Sequence, residues 1–468
     1  MNAQKIKYNF RFIWLLVVVA AMGGFLFGYD WVVVGGAKNF YEPYFGITSP
    51  GAQGWGTSSA MIGCMIGALL CFLRSDLWGR KSFLVAAGFL FSLSAIGTAL
   101  VNQFIWYNTF RILGGVGIGI TLNLSPVYIS EMAPSHMRGK LVSINQLLIN
   151  VGILAAQLVN WLISISDTAM PADPTTEMIR QSWNGQYGWR WMFAAEAVPA
   201  IIFFVSMLFM PESLRWLVKN GQFEKARKVL EKIGGKAYAD GEIGEIQATI
   251  SKEEVSRVNF RDLLEPRMVK ILILGFFLVL LQQWCGMNVI FYYAADIFQA
   301  AGYNIQQMML NIVVIGTIMV IFAGTTVFVV DKMGRKKLML IGSAALAIIY
   351  GIIGYLFKVD ITGLPIVIFT LLNVAFYSLT LAPVVWVILS EIFPNRIRGA
   401  AMSLSALMLW IGNFSLTFTF PTIKENLGWT NNFWLYGLIC LLGFAVLYFR
   451  LPETKNKSLE QIEKELVD

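Results

Sequence analysis

The sequence predicts an all-α integral membrane protein in which twelve transmembrane helices form two six-helix bundles. Residues of the AVILMFWYC set make up 57% of the 468-residue chain, and charged residues make up 14%, whereas about 25% is usual in soluble domains. Long uncharged stretches recur along the whole chain, and three loop motifs occur twice in the same order. A chain this poor in charge cannot cover a water-soluble surface, so the bilayer is an expected partner.

The uncharged stretches are long enough to span a bilayer. A transmembrane helix needs about 20 predominantly apolar residues to cross the hydrocarbon core. The stretches are 12–29, 43–73, 82–110, 112–130, 141–166, 271–295, 297–330, 338–357, 361–390, 399–423 and 426–449, and the remaining one, 191–210, is interrupted only by Glu196.

The basic residues indicate which side of the membrane is cytoplasmic. With a cytoplasmic N-terminus, most of the 36 Lys and Arg residues lie inside, and the outside receives Lys38, Arg180, Arg190, Lys358 and Lys424. Cytoplasmic loops are enriched in Lys and Arg. We therefore expect both termini in the cytoplasm and an uncleaved first helix. The net charge of +8 reflects this topology, and no nucleic-acid partner is expected.

Repeated motifs divide the chain into halves. Segments 76–81 and 331–336 match each other, as do 131–139 and 391–399, and 211–213 and 452–454. Such a duplication, with a binding site between the bundles near the midplane, is typical of secondary transporters.

The predicted domain organisation follows from this duplication. The bounds are 1–210 for the N-terminal bundle, 211–268 for a cytoplasmic helical linker, 269–451 for the C-terminal bundle and 452–468 for a cytoplasmic tail. Within the linker, Gly234 and Gly235 predict a helix break. The outer segment 165–188 is rich in Pro, Thr, Ser, Asn and Gly, which predicts a loop.

The composition disfavours an enzyme. His136 is the single histidine, so a histidine-based metal centre or a Ser/His/Asp relay is not expected. The four cysteines lie in apolar stretches without metal-ligand spacing, and we expect neither a metal nor a cofactor. The glycine-rich run 114–119 lies inside a transmembrane stretch, where it predicts close helix packing rather than a phosphate loop.

Three charged residues lie within or beside the transmembrane stretches. Asp30 closes the first stretch, Arg111 opens the fourth and Glu196 interrupts the sixth. A charge at the bilayer centre costs about 2.5–3.5 kcal/mol even on lenient scales, so each charge should face a partner or a cavity. Two interpretations remain for Asp30 and Arg111. They form a functional site, or Asp30 lies at the solvated outer end of its helix while Arg111 extends its side chain to the membrane surface.

Several segments resemble the sugar porter family of the major facilitator superfamily. They are the repeated loop motifs and the segments 27–30, 111–115, 211–216, 282–288, 386–394 and 452–455. The resemblance covers nearly the whole chain. It implies the major facilitator fold and proton-coupled symport of a monosaccharide, D-xylose or a related pentose or hexose, by alternating access. A passive uniporter of the same fold is the alternative, and a non-transporting sugar sensor is less favoured.

The resemblance also implies site residues. Asp30 would carry the proton and Arg111 would be its partner, whereas passive relatives tend to have a neutral residue at the acidic position. Glu196 would tune this pair, and a structural ion pair near the outer headgroups is the alternative role for Glu196. A further set would bind the sugar: Gln146, Gln282, Gln283, Asn288 and Trp386, with Phe27, Tyr292 and Trp410 as walls and Asn413 as a weaker candidate. Amides that merely hold helices together remain the alternative for each single position. Leu409, Trp31 and Ala382 depart from the residues common in the family.

A cytoplasmic gating network is implied as well. In the family, charged residues at the inner helix ends close the inside when the outside is open. The matching residues are Asp76, Arg80, Glu131, Arg138 and Glu212 in the first half, and Asp331, Arg335, Glu391, Arg398 and Glu453 in the second. The partners expected overall are a monosaccharide, protons and a bacterial inner membrane, with a single chain sufficient for function.

Overall fold

A computed structural model describes residues 8–166, 174–255, 263, 265–394, 397–455, 457 and 461, apart from the side chains at 249–255, 267, 326–328, 330 and 331. The described residues are mainly α-helical. The helices are α1 (Phe10–Phe45), α2 (Pro50–Trp78), α3 (Arg80–Leu100), α4 (Phe104–Met132), α5 (Arg138–Ser164), α6 (Thr176–Gln181), α7 (Trp189–Ala194), α8 (Ala197–Phe209), α9 (Leu214–Lys219), α10 (Phe223–Gly234), α11 (Lys236–Val255), α12 (Pro266–Trp284), α13 (Met287–Ala300), α14 (Ile305–Met333), α15 (Arg335–Lys358), α16 (Leu364–Leu379), α17 (Leu381–Ile392) and α18 (Arg398–Arg450).

The predicted number of membrane crossings is confirmed. Among the described residues, 11 helical segments are long and apolar enough to cross a membrane, and the last of them is α18 with 53 residues. A straight helix of that length would measure about 80 Å, against a hydrocarbon thickness of about 30 Å. Gly428, with φ 67° and ψ 177°, interrupts α18. The helix therefore crosses twice, which gives twelve crossings.

The first transmembrane helix is longer than its uncharged stretch. The side chain of Asn9 accepts a hydrogen bond from the Phe12 amide at the start of α1, and Gly46 ends the helix in the left-handed conformation. Asp30 therefore lies well inside α1, and the expectation that it closes the helix was wrong. Lys38, assigned to an outer loop from the sequence, also belongs to this helix.

The glycine-rich run in α4 packs closely against α2, as predicted. A Cβ on Gly115 would overlap the carbonyl oxygen of Ala60, and one on Gly119 would overlap that of Cys64. Glycines at such positions let two helix backbones approach each other closely inside a membrane. This contact fixes α4, and with it Arg111, against the rest of the first half.

The predicted linker contains α9, α10 and α11. The predicted break is confirmed, because α10 ends at Gly234 and Gly235 has a φ of 84°. The linker contacts the first half: Lys219 Nζ lies 2.8 Å from an Asp76 carboxylate oxygen, and Trp216 Nε1 donates to the Asp76 carbonyl oxygen at 3.0 Å.

The outer segment 165–188 is not entirely a loop. It contains α6 and a π-helix, Asn184–Gly188, while 167–173 lie outside the described residues. The Asn184 amide donates to the Ser164 carbonyl oxygen at 2.9 Å, so the π-helix packs against the end of α5. Loop composition alone does not reveal such a contact between distant residues.

Among the described residues, the largest contacts between the two halves are those of α1 with α13, α2 with α18, and α5 with α14. A Cβ on Gly35 in α1 would lie 2.6 Å from the Phe291 carbonyl oxygen of α13. A Cβ on Gly54 would overlap the Phe418 carbonyl oxygen, and a Cβ on Gly316 would overlap the Gln157 side chain. The central site lies between these pairs. The residue bounds of the two halves and the linker stay predictions.

Candidate functional site

The seventh crossing is broken between α12 and α13. Cys285 ends α12, and Gly286 adopts a φ of 85°, in the left-handed region that glycine tolerates best. A Cβ at Gly286 would lie 2.7 Å from the Tyr436 ring and 2.8 Å from the Tyr350 hydroxyl. The break therefore needs glycine for its conformation and for its space. It places polar side chains of α12 and α13 on either side of a kink deep in the membrane.

Three amides form a hydrogen-bonded chain across this break. Asn288 Nδ2 donates to Gln283 Oε1 at 2.7 Å, and Gln283 Nε2 donates to Gln282 Oε1 at 3.3 Å. Gln282 Nε2 donates in turn to the carbonyl oxygens of Leu381 and Ala382, at 3.2 and 2.8 Å. All three amides are buried. Gln282 thus ties α12 to α17 through both of its amide hydrogens, while Gln283 and Asn288 extend the chain towards the centre.

Aromatic side chains from both halves surround a small cavity whose lining does not include these three amides. The cavity volume is about 10 Å³, and the lining includes Phe27, Trp31, Arg111, Tyr292 and Trp410. The edge of the Trp410 ring approaches the Phe27 ring, with 6.2 Å between ring centroids. Among the described residues, the buried Trp410 Nε1 has no hydrogen-bond partner. A polar ligand in this cavity would meet a free donor and ring faces, the combination that carbohydrates require.

The other expected sugar-contacting residues take different positions. Gln146 is exposed; it lies about three turns before Gln157 on α5, and therefore on the face of α5 that meets the second half. Trp386 on α17 is partly buried. Asn413 is buried, and its Oδ1 accepts a hydrogen bond from the Thr417 hydroxyl at 3.1 Å. Leu409, one turn before Asn413 on α18, is partly buried.

The structure brings the three intramembrane charges together. Arg111 donates to the Asp30 carboxylate through Nη1 and to the Asp30 carbonyl oxygen through Nη2, the latter at 3.3 Å. The exposed fractions are 1% for Asp30, 2% for Arg111 and 3% for Glu196, so neither a wet helix end nor snorkelling explains these residues. Arg111 lies two turns inside α4 rather than at its start.

The surroundings of this triad leave acceptor atoms without partners. Glu196, at the turn between α7 and α8, lies close enough to Arg111 for a direct electrostatic attraction. Among the described residues, Asp30 Oδ2 and Glu196 Oε1 are buried without a hydrogen-bond partner. A Cβ on Gly114 would lie 2.9 Å from Asp30 Oδ2, so glycine makes room for the carboxylate. The Arg111 guanidinium also lies over the Phe193 ring, 5.3 Å from its centroid.

Within the predicted cytoplasmic gating network, three ion pairs join residues of the same half. Arg80 contacts Asp76 at 2.8 Å and Glu131 at 3.2 Å, and Arg335 contacts Glu391 at 3.1 Å. These pairs fix helix ends within a bundle. These three pairs do not join the two bundles to each other.

The remaining members of the expected network have other contacts. Glu212 accepts hydrogen bonds from the amides of Arg80 and Lys81 at the start of α3, both at 2.9 Å. Glu453 accepts one from the Arg335 amide at 3.0 Å. Arg398 donates to the Phe393 carbonyl oxygen at 3.1 Å, and Arg138 is exposed. The side chain of Asp331 lies outside the described ones.

Sequence reasoning missed a charged cluster at the outer end of the interface, which we call the outer cluster: Lys38, Glu42, Asp296 and Lys424. Lys38 Nζ lies 2.6 Å from Asp296 Oδ2 and 3.7 Å from Glu42 Oε1. Lys424 Nζ lies 3.5 Å from Asp296 Oδ1. The Lys38–Asp296 pair joins α1 of the first half to α13 of the second, and Lys38 is only 2% exposed. The outside of the central site is therefore closed.

We expect Asp296→Asn to open the outside of the protein. Removing one partner of a buried ion pair costs about 3–5 kcal/mol, because the remaining charge stays buried without compensation. The native Cys64 lines the central cavity and reports on access to it. A membrane-impermeant thiol reagent added from outside should label Cys64 at least 10-fold faster in the variant, as quantified by peptide mass spectrometry.

Arg180→Met is the matched control, since Arg180 forms an exposed outer ion pair, at 3.6 Å from Glu177, within one half. Equal labelling rates in the Asp296→Asn and Arg180→Met variants would show that the outer cluster does not hold the halves together.

The fold and the site define the class of the protein. Two six-helix bundles with a cavity between them are the architecture of a secondary transporter. Within the described residues, no group of three His, Cys, Asp or Glu side chains is arranged to hold a metal ion.

The sequence profile of the family described as "Sugar (and other) transporter" matches residues 16–466. The arabinose-proton symporter of Bacillus subtilis (strain 168) is 36% identical over 459 residues, which cover 98% of this chain and 96% of that protein. The D-xylose-proton symporter of Escherichia coli (strain K12) is 34% identical over 498 residues, covering 99% and 97%. The chain thus belongs to this family of sugar transporters and has the major facilitator fold.

Solved structures agree with this assignment. The inward-open conformation of the xylose transporter XylE from E. coli superposes with a TM-score of 0.83 at 32% identity and covers 97% of this chain and 99% of that chain. XylE bound to 6-bromo-6-deoxy-D-glucose gives a TM-score of 0.76 at 33% identity, covering 98% and 100%. Similarity to an inward-open structure agrees with the closed outer cluster.

Proposed function

We propose that this protein imports a monosaccharide together with a proton by alternating access. One observation carries the proposal: Arg111, the partner of the buried Asp30, lines the same cavity as Phe27, Tyr292 and Trp410. A proton site and a sugar site that share a wall can respond to each other through small movements of α1 and α4. The relatives named as arabinose-proton and D-xylose-proton symporters support both substrates.

The sugar would bind between the amide chain and the aromatic walls. Sugar hydroxyls need donors and acceptors, which Gln283, Asn288 and the Trp410 Nε1 supply, while the carbon faces of the ring pack on aromatic side chains. Gln282 positions its neighbours from behind, because its amide hydrogens are bonded to α17. Gln146 and Trp386 would reach the sugar from the cytoplasmic side, and Asn413 would support the wall that contains Tyr292.

Proton binding would exchange the partners of Arg111. When Asp30 is ionised, it holds Arg111, as observed. Protonation of Asp30 removes the negative charge from this pair, and Glu196 then becomes the remaining carboxylate that attracts the guanidinium. Such a switch moves α4 relative to α1. One proton crossing a potential of 100 mV supplies about 2.3 kcal/mol, enough to hold roughly a 50-fold sugar gradient.

The cellular setting follows from the topology. The multi-pass helices place the protein in a membrane, and the excess of Lys and Arg at one face supports cytoplasmic termini in a bacterial inner membrane. The site is built from one chain, so a monomer would suffice. The protein would move its substrate without changing covalent bonds, and it would need no cofactor.

Protonophore sensitivity of accumulation tests the proposal against passive uniport. Energised cells that express the protein should concentrate labelled D-xylose or arabinose above the external level, and a protonophore should return the internal concentration to the external one. The same cells with an empty vector provide the background. Equilibration without accumulation, unchanged by the protonophore, would establish a uniporter instead.

A further inference from the structure

Trp31 occupies a special position on α1, directly after the proton-site residue Asp30. Phe27, Trp31 and Gly35 follow one another at intervals of four residues, so they share the helix face that meets α13. Gly35 packs closely against the α13 backbone, and Lys38, about one turn further, reaches Asp296. Trp31 therefore lies between the outer cluster and Phe27 along α1.

The Trp31 indole forms part of the cavity wall. It stacks on the Phe27 ring, with centroids 5.3 Å apart and an interplanar angle of 9°. Its centroid lies 5.8 Å from that of Phe291 and 6.5 Å from that of Tyr292. Indole is the largest side-chain ring system, and here it fills space between α1 and α13 at the level of the residues that follow Asn288. A smaller side chain would enlarge the cavity on this side.

We infer that Trp31 determines the size of sugar that the site accepts and makes the site selective for pentopyranoses over hexopyranoses. The inference rests on the proposed function, because it assumes that a monosaccharide occupies this cavity. D-xylose and D-glucose have the same configuration at their shared ring hydroxyls and differ by one hydroxymethyl group. A wall that excludes this group discriminates between the two sugars without altering any other contact.

The test has to separate selectivity from gating, because Trp31 also contacts α13 in the outer closure. A change in the inward–outward equilibrium scales the apparent affinities of both sugars by the same factor when both bind the same conformation. The ratio of the two dissociation constants, measured on one purified protein, is therefore independent of that equilibrium. Equilibrium binding of labelled D-xylose, with competition by D-glucose, gives this ratio directly.

We expect Trp31→Ala to lower the glucose-to-xylose ratio of dissociation constants by at least about 10-fold, and Trp31→Phe to lower it less. Measurable binding of xylose to each variant shows that the variant is folded. Trp14→Ala is the matched control, because Trp14 lies on α1 with 48% of its surface exposed. It should leave the ratio unchanged.

Two results would contradict the inference. An unchanged ratio in Trp31→Ala, with xylose still bound, would overturn the role of Trp31 and leave the proposed function intact. Failure of the wild-type protein to bind either sugar, or any other monosaccharide in a competition panel, would overturn the proposed function itself.

Discussion

Replacement of Asp30 by Asn is expected to abolish sugar accumulation while sugar binding persists. The variant removes the one carboxylate that holds the buried Arg111, and with it the group that would gain and lose the proton. Without a proton in the cycle, the membrane potential cannot drive the sugar, so the gradient should fall from roughly 50-fold to about 1. The sugar amides of α12 and α13 are not bonded to Asp30, and binding should change by less than about 3-fold.

Accumulation of labelled sugar in energised vesicles and equilibrium binding to the purified protein measure the two quantities separately. Asp360→Asn serves as the control, because Asp360 is exposed and has a φ of 53°, which Asn tolerates. If Asp30→Asn vesicles still accumulate sugar in a protonophore-sensitive manner, Asp30 is not the proton-carrying residue.

Gln283→Ala and Asn288→Ala are each expected to weaken sugar binding by roughly 10- to 100-fold. Each change removes an amide and leaves a sugar hydroxyl, or the neighbouring amide, without its hydrogen bond inside a buried site, which costs about 1–3 kcal/mol. The two positions are linked by a 2.7 Å hydrogen bond, so the double variant should lose less than the sum of the single losses.

Asn426→Ala is the matched control for these variants, since the Asn426 amide donates to the Thr422 carbonyl oxygen of its own helix at an exposed position. Isothermal binding or scintillation proximity with labelled sugar provides the measurement. Unchanged affinity in both the Gln283→Ala and Asn288→Ala proteins would place the sugar elsewhere. Gln282→Ala should instead lower the thermal stability as well, because Gln282 joins α12 to α17.

The membrane crossings could be predicted from the sequence because the bilayer imposes strong local rules. Apolar length determines which segments cross the membrane, and the distribution of Lys and Arg indicates the sides. The repeated motifs then predict two bundles. The break at Gly428 also shows the limit of helix length as a criterion, since α18 continues through the turn between two crossings.

Helix ends could not be located from charges alone. In the sequence, Asp30 ends the first uncharged stretch and Lys38 follows it. Both residues are nevertheless buried inside α1, which runs to Phe45. Each charge is tolerated there because a partner from a distant part of the chain compensates it: Arg111 for Asp30, and Asp296 for Lys38. Such pairing depends on tertiary structure, and one sequence does not contain a local signal for it.

The residue types of the candidate site could be predicted from the sequence. The role of each residue was less predictable. The cluster of amides at 282–288 indicated a polar site, but the sequence did not show that the Gln282 amide is bonded to carbonyl oxygens at the start of α17. Those carbonyl groups belong to the first turn of α17, which begins directly after Thr380, with φ −121° and ψ −86°, interrupts the tenth crossing.

The conformation connects the site with the transport cycle. Contacts between α1 and α13 close the outside, and the described cytoplasmic ion pairs stay within each half. An inward-facing state is expected once the sugar and proton have been released. In the outward-facing state, the residues of the outer cluster must separate. The sugar and the proton favour the exchange between the inward-facing and outward-facing states through their different affinities for these two states.

Sugar-induced proton movement tests the central claim most directly. Energy-depleted cells in a weakly buffered medium receive a pulse of D-xylose or arabinose, and a pH electrode records the external pH. Coupled entry of sugar and protons predicts an immediate alkalinisation that disappears with a protonophore and in the Asp30→Asn variant. Uptake of labelled sugar by the same cells without any change in external pH would contradict proton-coupled symport.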